Sequence, residues 1–342
     1  MRPGVGPGAG LAPGLQPGSG PAVVACGGGH GLAASLQALR HLSDRITAVV
    51  TVADDGGSSG RLRSELGIMP PGDLRMALAA LCDDTEWGRT WRDVLQHRFT
   101  GDGPLADHAV GNLLIAALWQ RLGDSVEGLD LVGRLLGARG RVLPMSSVPL
   151  EIEADVRVSA TRSAPARLEV VRGQKAVATT RGTVEEVRLL PVDPPARPEV
   201  VEAVRAADWV VLGPGSWFTS VMPHLLVPDL AAALRETRAR RCLVLNLVSE
   251  RGETSGLSPA AHVRALTAHA RGLRLDVVLA DPSAVEDVEA LAVAAEEAGA
   301  QLVLRQVRKV RRGRPALSSE HDPLRLAAAM RDVLEGSWGD VG

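Results

Sequence analysis

The chain has 342 residues with 38 basic and 40 acidic side chains, so its formal net charge of −2 gives no general attraction to nucleic acid or to an anionic membrane. Hydrophobic residues make up 45% of the sequence, enough for a large core, whereas aromatic residues make up 2% and tyrosine is absent. This scarcity excludes the stacking surfaces of proteins that bind single-stranded nucleic acid, and no apolar stretch approaches the roughly 20 residues that span a bilayer.

Cysteine usage and the chain ends indicate a protein of a reducing compartment. Cys26, Cys82 and Cys242 are an odd number, sit in apolar contexts and show no CxxC spacing, so we expect buried free thiols. Residues 1–21 repeat Pro-Gly steps without a hydrophobic segment, which predicts a disordered leader rather than a secretory signal, and residues 336–342 form a tail. We therefore predict a cytoplasmic protein with no membrane insertion.

The first predicted strand leads directly into a glycine-rich loop. Residues 22–26 form a short apolar run, and the loop Gly27–Gly31 follows it. Apolar residues at helical spacing then predict a helix through Leu39. Glycine lets backbone N–H groups approach a phosphate closely, and the start of the helix adds a positive dipole end. This segment therefore predicts a phosphate-binding loop.

A second predicted strand, over 46–52, ends in a pair of carboxylates and a second glycine-rich segment. Asp54 and Asp55 follow the strand, and we interpret Gly56–Gly60 after them as another flexible loop. Glycine-rich loops at the carboxyl ends of two consecutive strands are the arrangement in which an open α/β sheet holds a nucleotide. We therefore expect both loops to face one ligand.

The rest of the sequence alternates helices and strands around one β-rich insertion. Period-two alternation over 150–190 predicts a small inserted antiparallel β-unit. Helices are predicted over 73–81, 85–97, 105–122, 125–138 and 323–334, and further strands over 209–212, 243–247, 275–279 and 301–304. Strands alternating with helices predict an α/β fold with a Rossmann-like, doubly wound, mostly parallel sheet in a single domain over 22–335.

The two glycine-rich segments leave several chemical interpretations open. Residues 29–34 fit the G-x-G-x-x-A dinucleotide fingerprint, with Asp54 as the acidic residue that binds a ribose hydroxyl, which would indicate NAD. The alternative is a turn used for packing alone. Ser58 and Ser59 can hold another phosphate or a sugar. Asp54 and Asp55 can instead bind Mg²⁺ beside a diphosphate, or one of them can simply cap the turn.

Further candidate positions follow other predicted strands or begin predicted helices. The Gly213–Ser216 loop lies between a strand and a helix, so its amides can face the same crevice, and Asn246 follows the next strand. Asp73 and Asn112 can face this crevice, or they can serve only as residues that begin or cap a helix. The basic run 308–314 indicates a solvated surface or the edge of a partner contact.

Six segments, in a fixed order along the chain, resemble one known family. They read GGGHGLAASLQAL, VTVADDGGSSGRLR, PPGDLR, HAVGNLL, GPGSWFTSVMPHLLVPDL and ERGETSGLSPAAHV. Over about residues 22–335 the chain resembles the YvcK family of bacterial gluconeogenesis factors, which is related to CofD, the transferase that attaches 2-phospholactate to a deazaflavin. The resemblance implies a Rossmann-like core, a cytoplasmic location, binding of UDP-sugars such as UDP-N-acetylglucosamine, and a role in cell shape and wall synthesis during gluconeogenic growth.

Two functions from different classes remain open, and a homodimer is compatible with either. In one, the protein is a nucleotide-sugar-binding regulator whose occupied state is read by cell-wall or metabolic protein partners. In the other, it is a CofD-like transferase that moves a phosphate-linked group from a nucleotide carrier, with Mg²⁺ at Asp54 or Asp55. The scarcity of aromatic residues disfavours a pocket for a flat acceptor, so we favour the regulator. The candidate ligand-binding residues are Gly27, Gly28, Gly29, His30, Gly31, Leu32, Asp54, Asp55, Gly57, Ser58, Ser59, Gly60, Asp73, Asn112, Gly213, Pro214, Gly215, Ser216 and Asn246.

Overall fold

The computed structural model describes residues 20–158, 166–248, 257–310 and 318–336. Outside this range lie residues 1–19 of the predicted leader, 337–342 of the tail and 311–314 of the basic run. The strands of the described part are β1 (Val23–Gly27), β2 (Ile46–Val50), β3 (Arg141–Pro144), β4 (Glu151–Val158), β5 (Arg167–Arg172), β6 (Thr183–Leu190), β7 (Trp209–Leu212), β8 (Arg240–Val244), β9 (Val277–Ala280) and β10 (Gln301–Leu304). Among these residues, no helix is both long enough and apolar enough to cross a membrane.

Helices connect these strands and cover the sheet. They are α1 (Gly29–Leu39), α2 (Gly57–Leu66), α3 (Gly72–Leu81), α4 (Glu86–Gln96), α5 (Val110–Leu122), α6 (Ser125–Leu136), α7 (Gln174–Ala178), α8 (Pro198–Ala206), α9 (Pro223–Leu226), α10 (Pro228–Glu236), α11 (Pro259–His269), α12 (Val288–Glu297) and α13 (Pro323–Glu335). A short π-helix, Trp217–Val221, follows β7, and a single 3₁₀ turn, Pro282–Ala284, follows β9.

Seven strands form a central sheet in which every neighbouring pair is parallel. The strand order is β10-β9-β8-β7-β1-β2-β3. In register, Val23 of β1 lies opposite Ile46 of β2 on one side and Trp209 of β7 on the other. From β1 the chain adds β2 and then β3 on one side. It later adds β7 on the other side of β1 and continues outward through β8, β9 and β10. The order therefore reverses between β1 and β7, where a doubly wound sheet leaves a crevice for a ligand. The predicted fold class is confirmed.

Apolar side chains fill both faces of the central sheet. All residues of β1, β7 and β9 are buried, as expected for parallel strands enclosed by helices on both sides. Helix α1 turns Leu32, Leu36 and Leu39 to this core, where each is at most 1% exposed. The cysteines are buried and unpaired as predicted, and burial raises the pKa of both Cys26 and Cys242 to about 12, so these thiols stay protonated at neutral pH.

The predicted inserted unit forms its own three-stranded antiparallel sheet. Strand β4 lies between β5 and β6, and the short helix α7 lies in the connection from β5 to β6. Charged side chains bridge its strands, because Glu153 accepts hydrogen bonds from both Arg172 and Arg188, and Arg188 also pairs with Asp155. The period-two interpretation of this segment is confirmed for its described residues.

The second glycine-rich segment is not the flexible loop that the sequence predicts. Helix α2 begins at Gly57, so the Gly-Ser-Ser-Gly run forms its first turn. The Asp54 carboxylate accepts a hydrogen bond from the Gly56 N–H at 2.9 Å, and the Gly60 N–H donates to the Gly56 carbonyl at the same distance. These two bonds turn the chain into a helix directly after the carboxylates, which overcomes the low helix propensity of glycine and serine.

Two other local predictions are wrong, and one strand is missed. Strand β3 is not predicted because its four residues follow α6 without a distinct alternating pattern. Helix α5 begins at Val110 rather than at residue 105, because the preceding residues pair back, with the Phe99 N–H donating to the His108 carbonyl. Asp73 does not cap α3, since Pro71 holds the N-cap position and Asp73 lies in the first turn.

Candidate ligand-binding site

Two glycine-rich loops meet where the strand order reverses. One follows β1 and leads into α1, and the other, Gly213–Ser216, follows β7. A β-carbon on Gly31 would lie 2.2 Å from the Pro214 carbonyl oxygen and 2.6 Å from the Gly215 α-carbon, so the two backbones are in direct contact. Only glycine at position 31 permits this approach. The structure thus brings two of the predicted loops to one crevice at the carboxyl ends of β1 and β7.

Asn246, just after β8, fixes the shape of the Gly213–Ser216 loop. Its Oδ1 accepts from the Gly215 N–H at 2.9 Å, and its Nδ2 donates to the Gly215 carbonyl at 2.8 Å. From the opposite side, Ser35 Oγ of α1 donates to the Gly213 carbonyl at 2.8 Å. Because these bonds occupy both ends of its amide, Asn246 serves the site chiefly by holding the loop in place.

The π-helix after this loop brings an unpredicted hydroxyl to the first loop. A β-carbon on Gly28 would lie 3.4 Å from Ser220 Oγ, which places that hydroxyl beside the phosphate-binding backbone. Ser216 and Thr219 share a hydrogen bond between their own hydroxyl groups. Single π-helical turns are frequent at functional sites. The predicted loop motif ends at Ser216. The position of Ser220 beside the first loop depends on the π-helix after that motif, which the sequence does not predict.

Asp73, in the first turn of α3, lies directly against the first loop. A β-carbon on Gly28 would lie 2.6 Å from Asp73 Oδ2 and 2.6 Å from Thr51 Oγ1, and this threonine donates to Asp73 Oδ2 at 3.2 Å. Gly29, with φ of 56°, also donates its N–H to the carboxyl group. Burial and then the charge of Asp54 raise the pKa of Asp73 to about 6. The charged form of this carboxyl is therefore disfavoured in the folded protein.

Asp54 and Asp55 make contacts in different parts of the molecule. Asp54 Oδ2 would lie 2.8 Å from a β-carbon on Gly72, at the start of α3, and the Asp54 charge acts on Asp73. Asp55 Oδ1 instead accepts from the Lys175 N–H at 3.0 Å, at the start of α7. Asp54 is therefore the partner of Asp73 beside the loops, whereas Asp55 fastens the inserted β-unit to the central domain.

Ser58 and Asn112 belong to a buried polar cluster between α2 and α5. Ser58 Oγ lies 3.0 Å from His108 Nδ1 and accepts from Asn112 Nδ2 at 3.0 Å. The Ala109 N–H approaches the same hydroxyl at 3.4 Å. Ser58, His108 and Asn112 are each at most 4% exposed. These contacts occupy the hydrogen-bonding positions of the Ser58 hydroxyl. In this structure the hydroxyl therefore links α2 to α5.

Of the other predicted positions, one is open to a ligand and the others are packed against the protein. Gly57, with φ of 48°, has no heavy atom within 4 Å of the place a β-carbon would take, so a ligand group can approach it. Ser59 is 3% exposed, and Gly60 packs on the Asp55 carbonyl. Leu32 is a core residue that packs against Gly27, the last residue of β1.

A cavity of about 840 Å³ opens beside the contact between the two loops. It lies against α1 and the residues that precede α13, and the backbones of Gly31 and Gly215 form part of its wall. Lys309 and Glu320, which both line it, form an ion pair with an N–O distance of 2.9 Å. Its polar lining includes His30, Gln37, Asn246, Lys309, Glu320 and His321. A volume of this size matches pockets for ligands larger than a single phosphate group.

Arg308, the first residue of the predicted basic run, is buried rather than solvated, with 7% exposure. Its Nε donates to Ser283 Oγ and its Nη2 to the Leu247 carbonyl, each at 2.8 Å, and its Nη1 donates to the Ser318 carbonyl. The surface interpretation is therefore wrong for this residue. Since Leu247 lines the cavity, Arg308 supports the cavity wall from behind.

The residues around the loops offer two carboxylates for a hard cation. Among the described residues, no group of three or more His, Cys, Asp or Glu side chains could hold a metal ion. Magnesium bound beside a diphosphate needs only one or two carboxylates, because phosphate oxygens and water complete its shell. Asp54 and Asp73 fit that requirement better than Asp54 and Asp55, since Asp73 lies against the first loop whereas Asp55 contacts α7 of the inserted unit.

Comparison with known proteins identifies the family. The family model described as "2-phospho-L-lactate transferase CofD" matches residues 23–314. The "Putative gluconeogenesis factor" of Mycobacterium tuberculosis (strain H37Rv) is 55% identical over 324 residues, which cover 94% of this chain and 91% of that protein. The "Gluconeogenesis factor" of Bacillus subtilis (strain 168) is 36% identical over 267 residues, 78% of this chain and 80% of the relative.

A solved structure agrees with these sequence matches. The crystal structure of a UPF0052 family protein from Bacillus halodurans superposes with a TM-score of 0.78 and 31% identity, covering 92% of this chain and 99% of that one. The family model matches most of the chain, the two relatives align over 91% and 80% of their own lengths, and the fold is shared. The chain therefore belongs to the CofD family, together with the bacterial gluconeogenesis factors of the YvcK type.

Proposed function

We propose that the protein is a cytoplasmic regulator that binds a nucleotide sugar of the UDP-N-acetylglucosamine type and acts in cell shape and cell-wall formation during gluconeogenic growth. The observation that carries this proposal is the cavity of about 840 Å³ that continues from the two glycine-rich loops. A diphosphate bound to the backbone N–H groups of these loops directs the rest of the ligand into that cavity. The relatives named gluconeogenesis factors support the link to gluconeogenic growth.

The lining of the cavity suits the chemistry of such a ligand. Sugar hydroxyls and an N-acetyl group need both donors and acceptors, and His30, Gln37 and Glu320 supply them. Lys309 adds a positive charge that can approach a phosphate group once its pair with Glu320 opens. None of the described residues that line the cavity is a Trp, Phe or Tyr, which fits a sugar better than a flat flavin-like acceptor.

A panel of ligands tests this proposal by thermal shift. UDP-N-acetylglucosamine, GDP and NAD are compared at millimolar concentration, each with and without Mg²⁺. A ligand at 100 times its dissociation constant stabilises the protein by about 2.7 kcal/mol, which in a chain of this length raises Tm by several degrees. A shift with GDP or NAD, and none with the UDP-sugar, would contradict the proposal.

A pair of glycine variants locates the binding site. Gly29 and Gly67 both have positive φ, 56° and 65°, and neither has a heavy atom nearer than 4.0 Å to the place of a β-carbon. Alanine at either position therefore costs a similar strain, on the order of 1 kcal/mol. Only Gly29 belongs to the first loop, so Gly29→Ala should weaken UDP-sugar binding at least tenfold and Gly67→Ala should leave it unchanged. Equal affinities would place the ligand elsewhere.

A second candidate function is a CofD-like transferase, and the adjacent Asp54 and Asp73 carboxylates favour it. They would hold Mg²⁺ against a diphosphate, where the cation supplies charge neutralisation during transfer of a phosphate-linked group. Under this alternative, EDTA should weaken binding of a nucleotide carrier sharply, and chromatography should show that the carrier is consumed. Under the regulator proposal, chelation changes affinity only slightly and no product accumulates.

A further inference from the structure

Strand β5 forms the outer edge of the inserted sheet, and no strand of the described residues lies beyond it. Strand β4 is paired on both sides, and β6 lies against α9 of the central domain. Directly after β5, the Gly173 N–H donates to the Ile152 carbonyl of β4 at 2.8 Å. Because neighbouring residues of a strand direct their backbone groups to opposite sides, those of Leu168 and Val170 point away from β4. An edge of this kind is a template for another strand.

The same edge presents apolar side chains to solvent. The inner face of β4 holds Ala154 and Val156, both 0% exposed, so the alternate residues of that strand face outward. Those outward residues are charged, namely Glu153, Asp155 and Arg157. In register, Leu168 and Val170 of β5 lie opposite two of these charged residues, so both apolar side chains belong to the outer face. They are 59% and 61% exposed, which leaves an apolar strip along the edge of the sheet.

The sequence of β5 is complementary to itself when two copies run antiparallel about Leu168. In this register, Leu168 faces Leu168 of the second copy, and Val170 faces Ala166. On the inner face, Arg167 of each copy faces Glu169 of the other, and opposite charges directly across two strands attract. An axis at Glu169 would instead place two carboxylates opposite each other, which is unfavourable. The charges therefore select the axis at Leu168.

The ion pair that β5 already contains supports this arrangement. Arg167 Nε lies 2.5 Å from Glu169 Oε1 within one strand, so both side chains are held on the same face. Two copies paired about Leu168 bring together four charges of alternating sign. The outer face of the joined strands then holds leucine, valine and alanine side chains side by side, which removes the apolar strip from water.

We propose that two copies of this chain associate through β5, so that their inserted sheets form one continuous antiparallel sheet. The backbone groups of Ala166, Leu168 and Val170 exchange N–H···O=C hydrogen bonds with those of the second copy. The paired strip is short compared with permanent interfaces, so the dimer depends on protein concentration. This inference goes beyond the proposed function, because it does not depend on which ligand the protein binds.

Sedimentation equilibrium of the full chain over micromolar concentrations tests the interface. We compare wild type with Leu168→Lys, which places two ammonium groups opposite each other at the axis. The matched control is Leu105→Lys, since Leu105 is a leucine of similar exposure, 56%, in the segment that precedes α5. We expect Leu168→Lys to dimerise at least tenfold more weakly than wild type and Leu105→Lys to dimerise within twofold of wild type.

A mixing experiment tests whether the partner is a second copy in this register. Arg167→Glu places glutamate opposite glutamate in a pair of like copies, and Glu169→Arg places arginine opposite arginine, so each variant alone should dimerise at least tenfold more weakly than wild type. In a mixed pair, the two glutamates of one copy lie opposite the two arginines of the other. The mixture should therefore associate at least tenfold more strongly than either variant alone.

Three results would overturn the proposal. Wild-type protein that stays monomeric throughout the concentration range would leave the edge to a strand of a different protein. Dimerisation of Leu168→Lys within twofold of wild type would place the contact elsewhere on the surface. A mixture of the charge variants that associates no better than each variant alone would exclude the antiparallel pairing about Leu168, and this result remains decisive should Leu168→Lys fail to fold.

Discussion

Asp73→Asn should stabilise the ligand-free protein at neutral pH while weakening its ligand binding. Asp73 is held against the Gly28–Gly29 backbone and next to Asp54, in a place where its charged form is disfavoured. Asparagine has nearly the same shape. Its side-chain oxygen can accept from the Gly29 N–H, and its NH₂ group can donate to the Thr51 hydroxyl, which now donates to Asp73 at 3.2 Å. The substitution therefore removes the charge and leaves most of the packing.

The size and sign of the effect follow from the pKa of Asp73. Burial and then Asp54 raise this pKa from 3.8 to about 6, and a shift of roughly two units corresponds to about 3 kcal/mol as an upper bound. Because the folded state holds the proton more tightly than the unfolded chain, stability decreases as pH rises from about 4 to 6 and stays lower above that window. Asparagine does not ionise, so we expect it to add about 1–2 kcal/mol at pH 7.5 and nothing near pH 4.

Urea denaturation, followed by tryptophan fluorescence at pH 7.5 and pH 4, measures this difference. Asp124→Asn is the matched control, because hydrogen bonds from the Glu127 N–H and its neighbours lower the pKa of Asp124 at the start of α6. That variant should lose stability at pH 7.5 and lose less at low pH. If Asp73→Asn were less stable than wild type at pH 7.5, or if its gain persisted unchanged at pH 4, the electrostatic reasoning would be refuted.

The remaining predictions concern residues that hold the site together. Asp54→Ala should weaken UDP-N-acetylglucosamine binding roughly ten- to a hundredfold in calorimetry, as expected for loss of a charged hydrogen bond. Asp55→Ala should cost about 0.5–2 kcal/mol of stability, since it frees the start of α7, with ligand affinity within twofold of wild type; equal affinity losses in both variants would contradict their separate roles. Asn246→Ala removes two hydrogen bonds to Gly215, so urea denaturation should show a loss of about 1–3 kcal/mol, and unchanged ligand affinity would show that the loop keeps its shape without the clamp.

The fold was largely predictable because local patterns and the sheet topology agree. Buried apolar runs followed by glycine and then by helical spacing predict β1 with α1, and the same pattern predicts β7 with its loop. Parallel strands place their carboxyl ends on one edge, so candidate residues distant in sequence were expected together, and Gly31 does touch Pro214. The alternation of apolar and polar residues over 150–190 is a separate pattern, and it predicts the inserted sheet.

The roles of individual side chains were harder to predict because they depend on contacts between distant segments. The Asp-Asp pair looks like one unit in sequence, but its members diverge, since the Lys175 N–H 120 residues later binds only Asp55. A Gly-Ser-Ser-Gly run predicts a loop, yet Ser58 is buried against His108 and Asn112 at the start of a helix. Composition and periodicity carry no information on such pairings.

Under the regulator proposal, the contacts of Asp54 and Asp55 connect the loops to the inserted unit. The region between β1 and α3 holds Asp73, a carboxyl whose charged form burial and Asp54 disfavour. A cation bound beside it would favour the ionised form, whereas a phosphate alone would not. The region also adjoins the inserted sheet, because Asp54 faces the loops while the next residue, Asp55, holds α7. If the proposed ligand contacts Asp54, it would therefore also constrain the attachment of the inserted unit at Asp55, and this attachment would link an occupied site to the inserted sheet.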